Sequence, residues 1–351
     1  MRKITFLVCG NGFGHFIRCA RISKKILEIQ KNVIINFICE KEILSKQSNW
    51  FVTNELLSND RFNFINSGKT IEIILKPDSS QEVLVNDLDW INKDLILNSD
   101  IVISDNITSI LQIRSDVILM GSFLWSEVIK DDLGLVDYYK TEVNLLKKFK
   151  PKMIALEGMA MPYVRKYTDP FYTSWIIDNK IKISLKSKIK NILVMGGGTG
   201  LIDGKLINAI SKLLITSKYS VFSTKSIISK THNKSNINEF DFLETSFMNI
   251  DLIICRPGIG SLTDCVKYNI PVLGIGEKEN NEIQFNLKRI ETLNFGYDIS
   301  DKINDIVNLI QDIENNGLYK LFQKNLKKTK KDGINEISTY LINKIKKINE
   351  K

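Results

Sequence analysis

Apolar residues run almost without interruption over about Lys3–Cys9, Val33–Cys39, Ile101–Ser104 and Val117–Gly121. Each run has the length of a strand buried on both faces. Between the first two, Phe16, Cys19, Ala20, Ile26 and Leu27 recur at helical spacing, with Arg18, Arg21, Lys25 and Glu28 opposite, which predicts a helix over about His15–Gln30. After Lys150 the pattern loosens through EGMAMPYVRKYTDPFYTSWIIDNK, a stretch that reads as a connection. It restarts at NILVMGGGTG with a strand, a glycine cluster and a helix from about Asp203, followed by strands at about Ser220–Ser223, Asp251–Cys255 and Pro271–Ile275. Strands alternating with helices imply parallel sheets, and two glycine-rich strand ends far apart imply two of them. The expected fold class is therefore α/β, with two Rossmann-like domains facing across a cleft, residues 1–178 and 186–330.

The 351 residues suffice for two domains of ordinary size, and 43% hydrophobic with 25% charged residues suits soluble domains with real cores. The opening MRKITFLVCG has the basic start of a signal peptide, but its apolar run breaks into glycines followed by His15 and Arg18, so a buried first strand is the better reading. No later apolar segment approaches the length that crosses a bilayer, and a cytoplasmic location is expected. Cys9, Cys19, Cys39, Cys255 and Cys265 are odd in number and form no C-x-x-C pair, which favours buried thiols over a metal site or a disulfide framework. The net charge of +9 fits an anionic partner. Much of that excess lies in KNLKKTKK and INKIKKINEK, where no aromatic residues interleave the lysines to stack bases. A solvated helix face is therefore preferred to nucleic-acid binding, with attraction to an anionic membrane surface retained as a peripheral role.

Candidate chemistry sits at the expected carboxyl ends of strands, where such sheets bind ligands. In GNGFGH, a G-x-G-x-x-G dinucleotide fingerprint would place its third glycine where His15 stands. Glu40 ends the second strand, at the place of a ribose-binding acid, so an NAD-dependent dehydrogenase stays as an alternative. In the first turn of a helix the dipole disfavours an imidazolium, and a neutral His15 can serve as a general base or simply satisfy a backbone carbonyl. Asp105, just past a strand of the same sheet, either orients that imidazole or caps the next helix. The amides of Gly197, Gly198 and Thr199 can receive a phosphate, or form only a tight turn. In CRPGIGSLTD, Pro257, Gly258 and Gly260 shape a turn and Ser261 is expected to cap a helix whose amides suit a diphosphate. Asp264 then completes a capping box with Ser261 or accepts from ribose hydroxyls, and Arg256 adds charge or packs at the strand end.

Together, GNGFGH, ILVMGGGTG, RPGIGSLTD and PVLGIGEKENNEIQFN resemble the inverting GT-B glycosyltransferases, and among them the family 28-like group containing MurG, the peptidoglycan N-acetylglucosaminyltransferase. The resemblance implies an acceptor bound mainly by the first domain and a nucleotide-sugar bound by the second, with a last helix over about Glu336–Ile348 crossing back onto the first. It places His15 as the loop histidine of a first glycine-rich loop (Gly10, Gly12, Gly14, with Arg18), Gly258–Leu262 as the diphosphate loop and Asp264 on the ribose. The family's acid–glutamine pair on the donor sugar maps onto Glu282 and Gln284, with Ile283 between residues adjacent in relatives, and Asn286 matches the asparagine that follows. The nucleobase segment before Asp251 is abbreviated to LETSFMNIDL, with uridine the base implied. The function implied is hexosyl transfer with inversion, from a UDP-sugar to an acceptor hydroxyl, in cell-envelope polysaccharide or glycoconjugate synthesis. His15 with Asp105 would take the proton, while Gly197–Thr199, Gly258–Leu262 and Arg256 or Arg18 meet the diphosphate, with no metal or other cofactor. The acceptor, a glycan, a lipid-linked or a small molecule, would be chosen around Phe123–Trp125 and Met159–Tyr163. GHFIRC also resembles the nucleotide-sugar hydrolases of flagellin-sugar synthesis, whose C-terminal loop lacks RPG, so hydrolysis is the alternative to transfer.

Overall fold

The uninterrupted apolar runs become the central strands of two parallel sheets in the computed structural model, which describes residues 1–10, 12–47, 50–68, 71–75, 81–85, 93–131, 133–178, 183–196, 200–232 and 234–349. The chain divides into two units, Met1–Asp178 with Asp332–Lys351, and Asn179–Lys331.

The first unit runs β1 (Arg2–Val8), α1 (Phe13–Ile29), β2 (Val33–Cys39), α2 (Lys41–Lys46), α3 (Phe51–Leu57), β3 (Phe62–Asn66), β4 (Ile71–Leu75), β5 (Gln81–Val85), α4 (Lys93–Leu97) and β6 (Ile101–Asp105). It continues through β7 (Ile118–Met120), α5 (Trp125–Val128), α6 (Val136–Phe149), β8 (Lys152–Leu156), α7 (Pro162–Tyr167) and β9 (Asp169–Thr173). Seven strands pair in the order β3-β2-β1-β6-β7-β8-β9, and β4 and β5 form a separate antiparallel pair. β1 lies between β2 and β6, with Ile4 opposite Ile35 on one side and Ile101 on the other. Connections leave this point in opposite directions, so the crevice for a ligand opens at the carboxyl ends of β1 and β6, where Val8 pairs with Asp105.

The second unit runs β10 (Asn191–Met195), α8 (Asp203–Leu214), β11 (Ser220–Ser223), α9 (Lys225–Ile228), β12 (Ile237–Glu239), α10 (Glu244–Asn249) and β13 (Leu252–Cys255). It then forms α11 (Ile259–Tyr268), β14 (Val272–Gly274), α12 (Asn281–Thr292), β15 (Gly296–Asp298), α13 (Ile306–Asn315) and α14 (Leu318–Lys328). Its strands pair in parallel in the order β12-β11-β10-β13-β14-β15, so the same reversal falls between β10 and β13.

The final helix, α15 (Gly333–Asn349), belongs to the first unit. Its Ile337, Leu341 and Ile345 are buried in one core with Phe16, Cys19, Ile22 and Ile26 of α1 and with Ile4 and Phe37 of the sheet. Glu336 pins its start, accepting from Thr173 Oγ1 (2.9 Å), Ser174 N (2.7 Å) and Ser174 Oγ (3.0 Å).

The stretch read as a connection holds α7 and β9 instead. β9 is the edge strand, with Pro170 and a half-exposed face, so it shows no continuous apolar run. All five cysteines are buried and none is in a disulfide. Among the described residues no helix is long and apolar enough to cross a membrane.

Candidate functional site

At the carboxyl edge of the first sheet, Gly12 takes φ +111, a conformation open to glycine, and starts α1 two residues earlier than the apolar spacing indicates. His15 thus lies in the first turn, its side chain 11% exposed. Its Nδ1 is 2.8 Å from Asp105 Oδ1. Asp105 ends β6 with a fully buried carboxylate that also accepts from Arg18 Nε at 2.6 Å and from Cys19 Sγ at 3.3 Å, while Arg18 Nη2 converges on Oδ1. Burial alone would raise the Asp105 carboxyl, but the charges of Arg18 and then His15 outweigh it and bring the pKa to about 2. An ionised Oδ1 can only accept and favours the tautomer with the proton on Nδ1 and the lone pair on Nε2, against Arg18 Nη2, a donor 3.0 Å from the same Nδ1. Cys19 stays a thiol, raised by burial and then by the same carboxylate.

This geometry closes one alternative. The turn after β6 is a 3-10 helix, Thr108–Gln112, with Ile107 at its start and no side-chain cap, so Asp105 faces α1 and caps nothing. Arg18, offered with Arg256 for the diphosphate, is bonded to Asp105, because three and four residues are the spacings that share a helix face with His15. Glu40 lies over Gly10, where an added Cβ would be 1.7 Å from Glu40 Oε1. Gly14 is inside α1, and His15 occupies the fingerprint's third glycine position.

In the second unit, Gly197, Gly198 and Thr199 lie outside the described residues. Gly196 and Gly200 flank them, Gly200 at φ +69. Beyond β13 the expected cap is displaced: α11 begins at Ile259, its N-cap is Gly258 in extended conformation, and no side chain caps it. Ser261 is therefore a helical residue of the first turn, and no capping box with Asp264 forms. The reason is Pro257, which favours extended backbone before it, followed by a Gly258 whose N–H turns back to Arg256 O at 2.8 Å. Gly260 and Ser261 lie on that first turn, Leu262 is buried, and Asp264 is half-buried one turn on.

Arg256 Nε donates to Glu277 Oε1 at 2.8 Å, while Glu277 Oε2 is buried without a hydrogen-bond partner among the described residues. Gln284 Nε2 donates to Glu277 O at 2.8 Å, and Asn286 Nδ2 to Pro257 O at 2.9 Å. Ile283 is fully buried, and Glu282 lies in the first turn of α12, so Glu282 and Gln284 stand on α12 with an inward-facing residue between them. Arg256, Glu277, Gln284 and Asn286 are thus brought together around one loop. Glu277 lies within PVLGIGEKENNEIQFN but is not singled out there, because its pairing with Arg256 spans 21 residues. Phe242 was missed as well: it is 50% exposed at φ +60, a strained conformation for a bulky residue, with ring contacts to Phe240 (5.1 Å) and Phe247 (6.1 Å). Among the described residues no group of three or more histidine, cysteine or carboxylate side chains is placed to hold a metal ion.

The structure superposes on MurG of Acinetobacter baumannii with a TM-score of 0.59 at 13% identity, covering 97% of this chain and 99% of that one. The fold is GT-B. A glycotransferase of kitacinnamycin gives 0.61 at 10% identity (97% and 98% covered), and UDP-glucose: anthocyanidin 3-O-glucosyltransferase, in complex with UDP, gives 0.62 at 11% (96% and 94% covered). In sequence the chain resembles the UDP-N-acetylglucosamine–N-acetylmuramyl-(pentapeptide) pyrophosphoryl-undecaprenol N-acetylglucosamine transferase of Francisella tularensis subsp. mediasiatica, 28% identical over 58% of this chain. The chain spans 58% of the length of that relative. No family model matches the chain.

Proposed function

We propose that this protein is an inverting glycosyltransferase that moves a sugar from a nucleoside-diphosphate donor, a UDP-sugar, to an acceptor hydroxyl in cell-envelope polysaccharide or glycoconjugate synthesis. The observation that carries the reading is the 2.8 Å contact between His15 Nδ1 and the buried Asp105 carboxylate. Asp105 fixes the tautomer that leaves Nε2 basic, and its charge stabilises the imidazolium that forms as the acceptor proton arrives. The deprotonating hydroxyl oxygen attacks the anomeric carbon from the face opposite the diphosphate, one C–O bond forms as the other breaks, and the nucleoside diphosphate leaves with the bonding pair. The uncapped first-turn amides of α11 suit the charge that develops on that leaving group. The exposed ring of Phe242 offers a flat face for the nucleobase, and Asp264 a carboxylate for the ribose. The likeness to UDP-dependent transferases supports uridine, and the late lysines support attraction to an anionic membrane surface. The reaction as written asks for no cofactor beyond the donor.

His15→Ala tests the reading. Turnover should fall by about 10²–10⁴-fold while UDP affinity stays the same. Transfer at the wild-type rate would remove His15 from the mechanism, and rapid release of free sugar without any acceptor would point to hydrolysis.

A further inference from the structure

Lys205 is in the first turn of α8, directly after the glycine-rich strand end. A cation there stands at the positive end of the helix dipole, which opposes it. The acid of the same turn gives no relief, because Asp203 Oδ2 takes Lys230 Nζ at 2.5 Å. The half-buried Lys205 instead points its Nζ at Gly276 O, 3.2 Å away, and no carboxylate among the described residues pairs with it.

Gly276 is where several strand-end loops of the second unit meet. Its N–H donates to Ser300 Oγ at 2.9 Å, and an added Cβ would lie 3.3 Å from Gln284 Nε2. The next residue, Glu277, holds Gln284 through its carbonyl and Arg256 through its carboxylate. Arg256 is thus neutralised locally, and Lys278 of the same loop is exposed, whereas Lys205 is a half-buried positive charge without a carboxylate among the described residues, at the loop carrying the resemblance to donor-sugar contacts. A partly desolvated ammonium resting on one neutral carbonyl gains by exchanging it for an anion.

We propose that Lys205 binds an anionic group of the donor, either a phosphate of its diphosphate or a carboxylate on the transferred sugar. This rests on the donor assignment of the second unit made above. The ammonium leaves Gly276 O and donates to the anion, and no covalent step is involved.

The test is calorimetric titration of the full chain, Lys205→Gln and Lys205→Arg with inorganic pyrophosphate, UDP, UDP-glucose and UDP-glucuronate. Loss of the charge should weaken binding by about tenfold to a hundredfold, the scale of one charge-assisted hydrogen bond. If pyrophosphate and UDP are weakened, the anion is phosphate. If only UDP-glucuronate is weakened, it is a sugar carboxylate. Lys205→Arg should retain most of the affinity in either case. Lys205→Met, which keeps an apolar stem on the helix, is the second uncharged variant. Uncharged variants that bind all four probes as tightly as the wild type overturn the proposal and leave the donor reading standing. A wild type that binds none of the four overturns the donor reading and this proposal with it.

Discussion

Asp105 makes two demands on the fold, a buried negative charge and a buried positive one, and both are met within one helical turn. Its pKa of about 2, against the usual 3.8, means that the folded state binds this proton less readily than the unfolded state. The stabilisation is present in full above about pH 4 and is lost as the pH falls towards 2; for a shift of this size it is on the order of 2 kcal/mol. Urea midpoints between pH 5 and 2 should fall through that window in the wild type. Asp105→Asn should flatten that part of the profile. It should also lower stability by about 3–5 kcal/mol at neutral pH, since Arg18 would be left buried without its counter-ion. A variant as stable as wild type at pH 7 would show that the Arg18 pair adds nothing.

Among the elements, α15 depends on one close approach. Gly333 at its start donates to Trp175 O at 3.0 Å, and a Cβ there would lie 2.2 Å from Ser174 O. Backbone cannot retreat as a flexible side chain can, so Gly333→Ala should shift the helix start and cost about 1–3 kcal/mol. Thermal unfolding of that variant checks it, and an unchanged midpoint would mean that the seam between β9 and α15 is loose. The beginnings of helices were the least legible features. Pattern reading placed the start of α1 at its first buried residue and that of α11 at its first plausible cap, whereas Gly12 and Gly258 start both helices earlier by backbone conformation alone.

For the whole molecule, the consequential feature is that the chain returns to the first unit after leaving it for Asn179–Lys331. Ile337, Leu341 and Ile345 then close the core over the helix that carries His15. Removing residues 332–351 should cost the first unit about 5–9 kcal/mol, taking roughly 1.5–3 kcal/mol for each large apolar side chain removed. Hydrogen exchange should show α1 losing protection while α8 and α11 keep theirs. Equal loss in both units, or in neither, would contradict that assignment of the last helix.

The alternation of apolar strands and amphipathic helices was enough to determine two parallel α/β sheets, because burial on both faces leaves a continuous signature in one dimension. The glycines at the strand ends and His15 in the first turn of α1 were legible for the same reason: each is a local requirement of backbone or helix. Pairings between residues far apart were not. That Asp105 faces His15 and Arg18 rather than capping a helix, that Glu277 holds Arg256, and that Lys205 rests on the Gly276 carbonyl depend on which loops the sheets bring side by side. Those neighbours exist only once strand order is set, because charge pairing acts across space and leaves no periodicity along the chain.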